Sequence, residues 1–221
     1  MIPLWQRPDA PVHFSYIQFI AEEKTIPVYN FPYKVYHTNL SDELARSQVS
    51  LDSKFVSFNT IHVQRFLYQE NWDFWEPASE ESRHVNPKEY HNSALSYSPL
   101  YYLYGAAFYG LTYSQPIENR AYAIRLGTSL LMVPFLIFVF GLARILLQNE
   151  SAAVLMAISV SFQPMASFVF SIINNDAMLI TASSAAFYGM AVFISKRNTR
   201  SVSAGGGLSV WLVSPKPKDY F

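Results

Sequence analysis

Residues 126–147 read LGTSLLMVPFLIFVFGLARILL and are apolar on every face of a helix. About 20 such residues cross the hydrocarbon core of a bilayer, whereas a helix of a globular protein is usually apolar on one face only. Two further apolar stretches lie at 152–172 and 177–195, after connections too short to hold a soluble domain. The sequence therefore predicts three transmembrane helices.

The charged residues are distributed unevenly along the chain. The 221 residues include 16 basic and 16 acidic side chains, but only four of these lie within residues 121–195. We therefore predict a polar, aromatic-rich segment over 1–120, the three spans over 121–195, and a cytoplasmic tail or the start of a truncated next segment over 196–221. The expected fold class is mainly α, with multi-pass membrane helices and an outer juxtamembrane helical segment.

The overall composition excludes several classes of protein. Charged residues make up 14% of the chain, against about 25% in soluble domains. A formal net charge of zero argues against electrostatic binding of nucleic acid, and a chain without cysteine is not a disulfide scaffold. The five histidines have no metal-ligand spacing, so we predict neither a metal site nor another cofactor.

Basic residues that flank the apolar stretches indicate the orientation. Lys196 and Arg197 directly follow the third stretch, and basic flanks favour the cytoplasmic side. Residues 1–120 are then expected on the extracytoplasmic side. Arg120 and Arg125 break the rule at the outer boundary, which makes them candidate ligands of a phosphate group.

Several polar residues of the expected outer face have two interpretations. Asp9 precedes an amphipathic helix and is either its N-cap or a carboxylate able to take a proton from an acceptor hydroxyl. His13 lies one helical turn later. The loop 174–176 is either the N-cap of the third span or a second polar site. The aromatic cluster at 72–75 is a small core, an interfacial belt or a platform for a sugar ring.

Four stretches in a fixed order resemble a known family. They are RPDAPVHFSYIQFIAEEKTIPV from Arg7, YSPLYYLYGAAFYGL from Tyr97, RAYAIRLGTSLLMVP from Arg120 and FQPMASFVFSIINNDAM from Phe162. Together they resemble the amino-terminal part of bacterial multi-pass membrane glycosyltransferases of the GT-C fold, related to the protein mannosyltransferases and the aminoarabinose transferases. The resemblance covers roughly residues 7–195 and leads us to expect a fragment of a longer multi-pass protein.

The resemblance also implies roles for individual residues. The family's acidic motif, often Asp-Glu, falls on Asp9 and Ala10, so Asp9 alone would act as the base and a divalent metal is not expected. A Pro-Pro-Leu element falls on residues 98–100 with its first proline replaced by serine, and the helix-opening arginine is Arg125. The substrate-binding residues expected from the sequence and the resemblance together are His13, Pro99, Tyr101, Arg120, Arg125, Asn175 and Asp176.

The resemblance implies transfer of a sugar from a polyprenyl-phosphate carrier to an acceptor outside the membrane, usually with inversion at the anomeric carbon. The expected partners are the polyprenyl-phosphate-linked sugar, membrane lipids and an unknown acceptor, with no nucleic acid. The expected location is the bacterial cytoplasmic (inner) membrane. Two alternatives stay open, namely a non-catalytic truncated relative or interaction subunit, and a small transporter or channel segment.

Overall fold

The computed structural model of the protein describes residue 5 and residues 9–27, 39–52, 79–87 and 90–204. The aromatic cluster at 72–75 and residues 205–221 lie outside the described residues. All regular secondary structure of the described residues is helical. The mainly α, multi-pass fold class predicted from the sequence is thereby confirmed.

Among the described residues that precede the spans, three α-helices are present. Helix α1 is Ala10–Glu23, α2 is Asp42–Asp52 and α3 is Leu100–Leu111, with short 3-10 helices at Glu80–Arg83 and Ser93–Ser96. Helix α1 ends where Lys24 adopts a left-handed conformation, with φ 52°, and its N–H binds the Ile20 carbonyl.

Helices α1 and α3 pack in close contact. A Cβ atom added at Gly105 of α3 would lie 2.6 Å from Cδ1 of Ile17 on α1. Any side chain at this position would force Ile17 to shift, so Gly105 favours the close approach of the two helices.

The apolar half of the chain contains five helices. They are α4 (Ile117–Leu130), α5 (Met132–Leu147), α6 (Glu150–Ser161), α7 (Pro164–Phe170) and α8 (Asp176–Ala204). Ile117–Leu147 and Asp176–Lys196 are each long and apolar enough to cross a membrane, and α6 with α7 makes a third span if this pair, bent by 64°, counts as one. Helix α5 packs between α6 and α8.

The helices that cross or enter the membrane carry many exposed apolar side chains, as lipid-facing surfaces do. The largest exposed ones include Leu126, Leu130, Val133, Ile137, Phe162, Met165, Phe187 and Phe193.

The helices and the apolar stretches have different limits. The helix that contains the first apolar stretch begins at Ile117, and the polar residues of its first turns face the protein, with Arg120 fully buried. The boundary expected at residue 120 thus lies inside a helix. The second apolar stretch breaks at Phe162 and Gln163, immediately before Pro164, whose ring cannot continue the hydrogen-bond ladder of α6.

Candidate functional site

Asp9 lies at the N-terminal end of α1 with an exposed side chain. It occupies the N-cap position, but its side chain makes no capping hydrogen bond, and Pro11 fills the first turn. The N-cap interpretation of Asp9 is therefore not supported by its geometry. The carboxylate is available for another partner.

His13 is buried one turn after Asp9, against α3. Its Nδ1 lies 2.9 Å from the hydroxyl of Tyr102, and its ring stacks on that tyrosine with a centroid distance of 5.9 Å. The ring of Tyr97 lies 6.0 Å from His13 on the approach to α3, and Pro99 is the N-cap residue of that helix. His13, one turn after the base candidate Asp9, therefore connects α1 to the N-terminal end of α3.

Tyr101, the neighbour of Tyr102, is buried on the side of α3 that contacts α4. Its hydroxyl accepts a hydrogen bond from the backbone N–H of Asn174, at 3.0 Å, and lies 2.9 Å from Oγ1 of Thr128. Thr128 itself donates to the Ile124 carbonyl, so the phenolic proton of Tyr101 points to Thr128. Burial raises the pKa of Tyr101, which keeps that proton in place.

Arg125 holds the C-terminal end of α7 against α4. Its Nε donates to the Ser171 carbonyl at 2.8 Å, and Ser129 Oγ donates to the Phe170 carbonyl at 2.8 Å. The last carbonyls of a helix lack partners within it, so both bonds satisfy groups that would otherwise stay unpaired. The guanidinium also lies 5.7 Å from the ring centroid of Tyr122.

One end of the Arg125 guanidinium remains unused. The residue is 8% exposed, and its Nη1 is buried without a hydrogen-bond partner among the described residues. Buried donors are nearly always paired, and charged ones most of all. An unpaired buried cationic donor is therefore a position where an anion would be stabilised.

The connection between α7 and α8 carries the second predicted polar site. Asn174 Oδ1 accepts from the backbone N–H of Asp176, and Asn174 Nδ2 donates to the Asp176 carboxylate at 2.5 Å. Asn174 is buried, whereas Asn175 and Asp176 are half-buried. Asn174, which the sequence did not single out as a ligand, thus orients the carboxylate of Asp176 at the first residue of α8.

Arg120 occupies a closed polar cluster away from Arg125. Its guanidinium forms an ion pair with Glu43 of α2 and a hydrogen bond with the hydroxyl of Tyr109, and its Nε donates to the Gln115 carbonyl at 3.0 Å. Glu43 also accepts from Gln18 at 3.0 Å. The side chain of Arg120 is fully buried, so these contacts fix α2 against α4.

The cluster extends to the protein surface through two tyrosines and two glutamates. Tyr109 donates to Glu22 at 2.5 Å, and the hydroxyl of Tyr113 lies 2.8 Å from Glu22 and 2.5 Å from Glu80. The hydrogen bond to Glu80, then burial and Glu22, raise the pKa of Tyr113. Arg83 donates to the Tyr113 carbonyl and lies 5.2 Å above its ring.

The sequence-predicted residues therefore fall into three groups. Asp9 and His13 belong to the start of α1 and Pro99 to the start of α3, whereas Tyr101, Arg125, Asn175 and Asp176 lie around α4 and the α7–α8 connection. Arg120 belongs to the cluster with Glu43. Within the parts of the chain that the structure describes, no group of three His, Asp or Glu side chains could hold a metal ion.

Sequence reasoning missed Glu43, Tyr109 and Thr128. One signal pointed to Glu43, since an arginine at the edge of an apolar segment implies a carboxylate nearby. Nothing in the sequence identified which carboxylate, because Glu43 and Arg120 are separated by 77 positions.

The apolar helices define an integral membrane protein. Arg125, whose buried Nη1 has no hydrogen-bond partner among the described residues, gives it a position that would stabilise an anion. A comparison with protein families then matches residues 100–210, just over half of the chain, to the family described as dolichyl-phosphate-mannose-protein mannosyltransferase. The chain belongs to this family, and it is a membrane glycosyltransferase of the GT-C type. No curated protein and no solved structure matches the chain.

Proposed function

We propose that this chain transfers a sugar from a polyprenyl-phosphate donor to an acceptor outside the membrane, with inversion at the anomeric carbon. The observation that carries the proposal is Arg125, a buried arginine in the family-matched region whose Nη1 has no partner among the described residues. A leaving lipid phosphate would supply the missing acceptor. Arginine suits this task because its guanidinium stays charged and binds phosphate through two parallel N–H groups.

Asp9 is the proposed base. Inverting transfer needs a base at the acceptor oxygen and positive charge at the phosphate that leaves from the opposite side of the sugar. Two features support the assignment, namely the exposed Asp9 carboxylate and its lack of a capping bond. His13, Pro99, Asn175 and Asp176 are the further proposed contacts to the substrate. The reaction proposed for these residues uses no metal or other cofactor.

Arg125 is the first choice for the phosphate ligand. The same role for Arg120 stays a prediction, and it would require this guanidinium to give up its contacts with Glu43 and Tyr109. The proposed location is the bacterial inner membrane, with residues 1–120 on the extracytoplasmic side.

The test measures release of polyprenyl phosphate from a labelled polyprenyl-phosphate mannose by the full chain in membranes that contain the native acceptor. Mannose is chosen as the sugar because the matched family is described as dolichyl-phosphate-mannose-protein mannosyltransferase. We expect Asp9→Asn to lower turnover by at least ~100-fold, as the loss of a general base does. Asp42→Asn is the matched control, because Asp42 is also an exposed aspartate at a helix start. Unchanged turnover in Asp9→Asn would remove Asp9 from the mechanism.

The phosphate site is tested separately by binding. Arg125→Gln should weaken binding of polyprenyl phosphate by roughly tenfold or more, as loss of a charge-assisted hydrogen bond predicts. Arg144→Gln makes the same charge change at the exposed far end of the same span and should leave binding unaltered. Equal affinities in the two variants would contradict the role of Arg125.

One observation favours a second candidate, a non-catalytic membrane subunit. Ala10, at the position of the family's usual glutamate, is buried at the start of α1 and can accept no proton. A wild-type chain that binds polyprenyl phosphate without consuming the donor would favour this candidate.

A further inference from the structure

We infer that Tyr101 is a positioning residue, which fixes the α7–α8 connection beside Arg125 and thereby sets the affinity of the site for a lipid phosphate. The inference rests on the proposed function, since it assumes that Arg125 receives the phosphate. It assigns Tyr101 no contact with the substrate, in contrast to the substrate-binding role expected from the sequence.

The α7–α8 connection is held at both ends by side chains of other helices. At its beginning, Arg125 and Ser129 of α4 bind the carbonyls of Ser171 and Phe170. Three residues after Ser171, the hydroxyl of Tyr101 accepts the backbone N–H of Asn174. Between these anchors, Ile172 and Ile173 are 3% and 2% exposed. The connection is therefore tied to α4 at one end and to α3 at the other.

The Tyr101 bond matters because Asn174 positions the beginning of α8. The amide of Asn174 orients the carboxylate of Asp176 and binds the first N–H of α8. A shift of Asn174 would move Asp176, the first turn of α8 and the Ser171 carbonyl that holds Arg125. One hydroxyl thus holds the connection that carries both Asn174 with Asp176 and the Ser171 carbonyl to which Arg125 donates.

The direction of the hydrogen bonds separates Tyr101 from its neighbour Thr128. Asn174 donates to Tyr101, Tyr101 donates to Thr128, and Thr128 donates to Ile124. Removing the tyrosine hydroxyl releases Asn174. Removing the threonine hydroxyl leaves Tyr101 able to accept from Asn174, although it takes away the acceptor for the phenolic proton.

Two variants of the full chain in lipid nanodiscs use this difference. Tyr101→Phe deletes the tether to the connection, and Thr128→Val deletes a buried hydrogen bond of the same chain of bonds without touching the tether. Amide hydrogen exchange at Asn174 is measured first, without ligand. We expect roughly five- to tenfold faster exchange in Tyr101→Phe, in line with the loss of one hydrogen bond, and wild-type exchange in Thr128→Val. Unchanged exchange of the α8 amides beyond the first turn shows that both variants are folded.

Binding of polyprenyl phosphate is the second measurement. Tyr101→Phe should weaken it by roughly tenfold and Thr128→Val by less than about twofold. Wild-type exchange at Asn174 in Tyr101→Phe, or equal losses of affinity in both variants, overturns the inference, because a merely structural role predicts equal losses. A wild-type chain that binds no polyprenyl phosphate overturns the proposed function, and the exchange data distinguish the two failures because they are recorded without ligand.

Discussion

Neutralising Glu43 should loosen helix α2 from the rest of the protein. In the substitution Glu43→Gln, the fully buried Arg120 loses its carboxylate partner, and Arg83, whose Nε lies 3.6 Å from Glu43, loses a second ion pair. Breaking a buried ion pair typically costs 3–5 kcal/mol, because one charge is left uncompensated. Arg120 keeps the Tyr109 hydroxyl and the Gln115 carbonyl as acceptors, so we expect about 3 kcal/mol.

Amide hydrogen exchange of α2 measures this cost in the folded protein. A local free energy lower by about 3 kcal/mol corresponds to exchange that is faster by roughly 100-fold. The amides of α8 should be unaffected, because α8 packs mainly on α5. Glu23→Gln is the matched control, since Glu23 pairs with a His84 side chain that is 46% exposed, and an exposed pair contributes at most about 1 kcal/mol.

A double variant provides the decisive comparison. Combining Glu43→Gln with Arg120→Met removes both charges, and replacing a whole buried pair by uncharged groups usually costs far less than breaking it. We expect the double variant to regain most of the lost protection. The reasoning is refuted if α2 in Glu43→Gln exchanges within about threefold of the wild-type rate, or if the double variant is as unprotected as the single one.

The other predictions concern the α1–α3 contact and the ionisation of Tyr113 at alkaline pH. Gly105→Ala should destabilise the protein by about 1–3 kcal/mol in chemical unfolding, because its Cβ would overlap Ile17. Gly110→Ala is the control, since open space surrounds the new methyl group, and it should be neutral or stabilising by up to about 1 kcal/mol. Equal effects of the two substitutions would contradict the packing argument. The raised pKa of Tyr113 means that its stabilising contribution is complete below the unfolded value of about 10 and is lost as the pH rises through the folded pKa. Glu80→Gln should lower the pKa of Tyr113, seen as tyrosinate absorbance at lower pH, and an unaltered titration would show that Glu80 does not hold the phenolic proton.

The sequence was sufficient to predict the membrane helices because lipid imposes a local rule. A span must be apolar along its whole length, so the stretches at 126–147 and 177–195 were recognisable without knowledge of any partner. The start of this first helix at Ile117 could not be recognised from the sequence, since Arg120 is paired there with Glu43, a carboxylate from the distant helix α2. Local hydropathy reports the cost of burying a charge but not the identity of the group that compensates it.

The candidate site was less predictable than the fold for the same physical reason. Arg125 and Asp176 stood out as rare charges in an apolar region, and their type alone suggested a function. Tyr101, in contrast, is one of many tyrosines in an aromatic segment, and its distinguishing partner is a backbone N–H 73 positions later. A residue that acts through a backbone group leaves no pattern in side-chain chemistry.

Tyr101 and Tyr102 also show why the two compositional halves of the chain act as one unit. Tyr102 binds His13 on α1, next to the proposed base, and Tyr101 binds Thr128 and the α7–α8 connection, next to the proposed phosphate ligand. The two rings contact each other edge to face, with centroids 5.5 Å apart. Adjacent residues of one helical turn therefore connect the acceptor side of the proposed reaction to its leaving-group side. A change in the packing of α3 should alter both Asp9 and Arg125, so a substitution at either tyrosine has to be measured by turnover and by phosphate binding together.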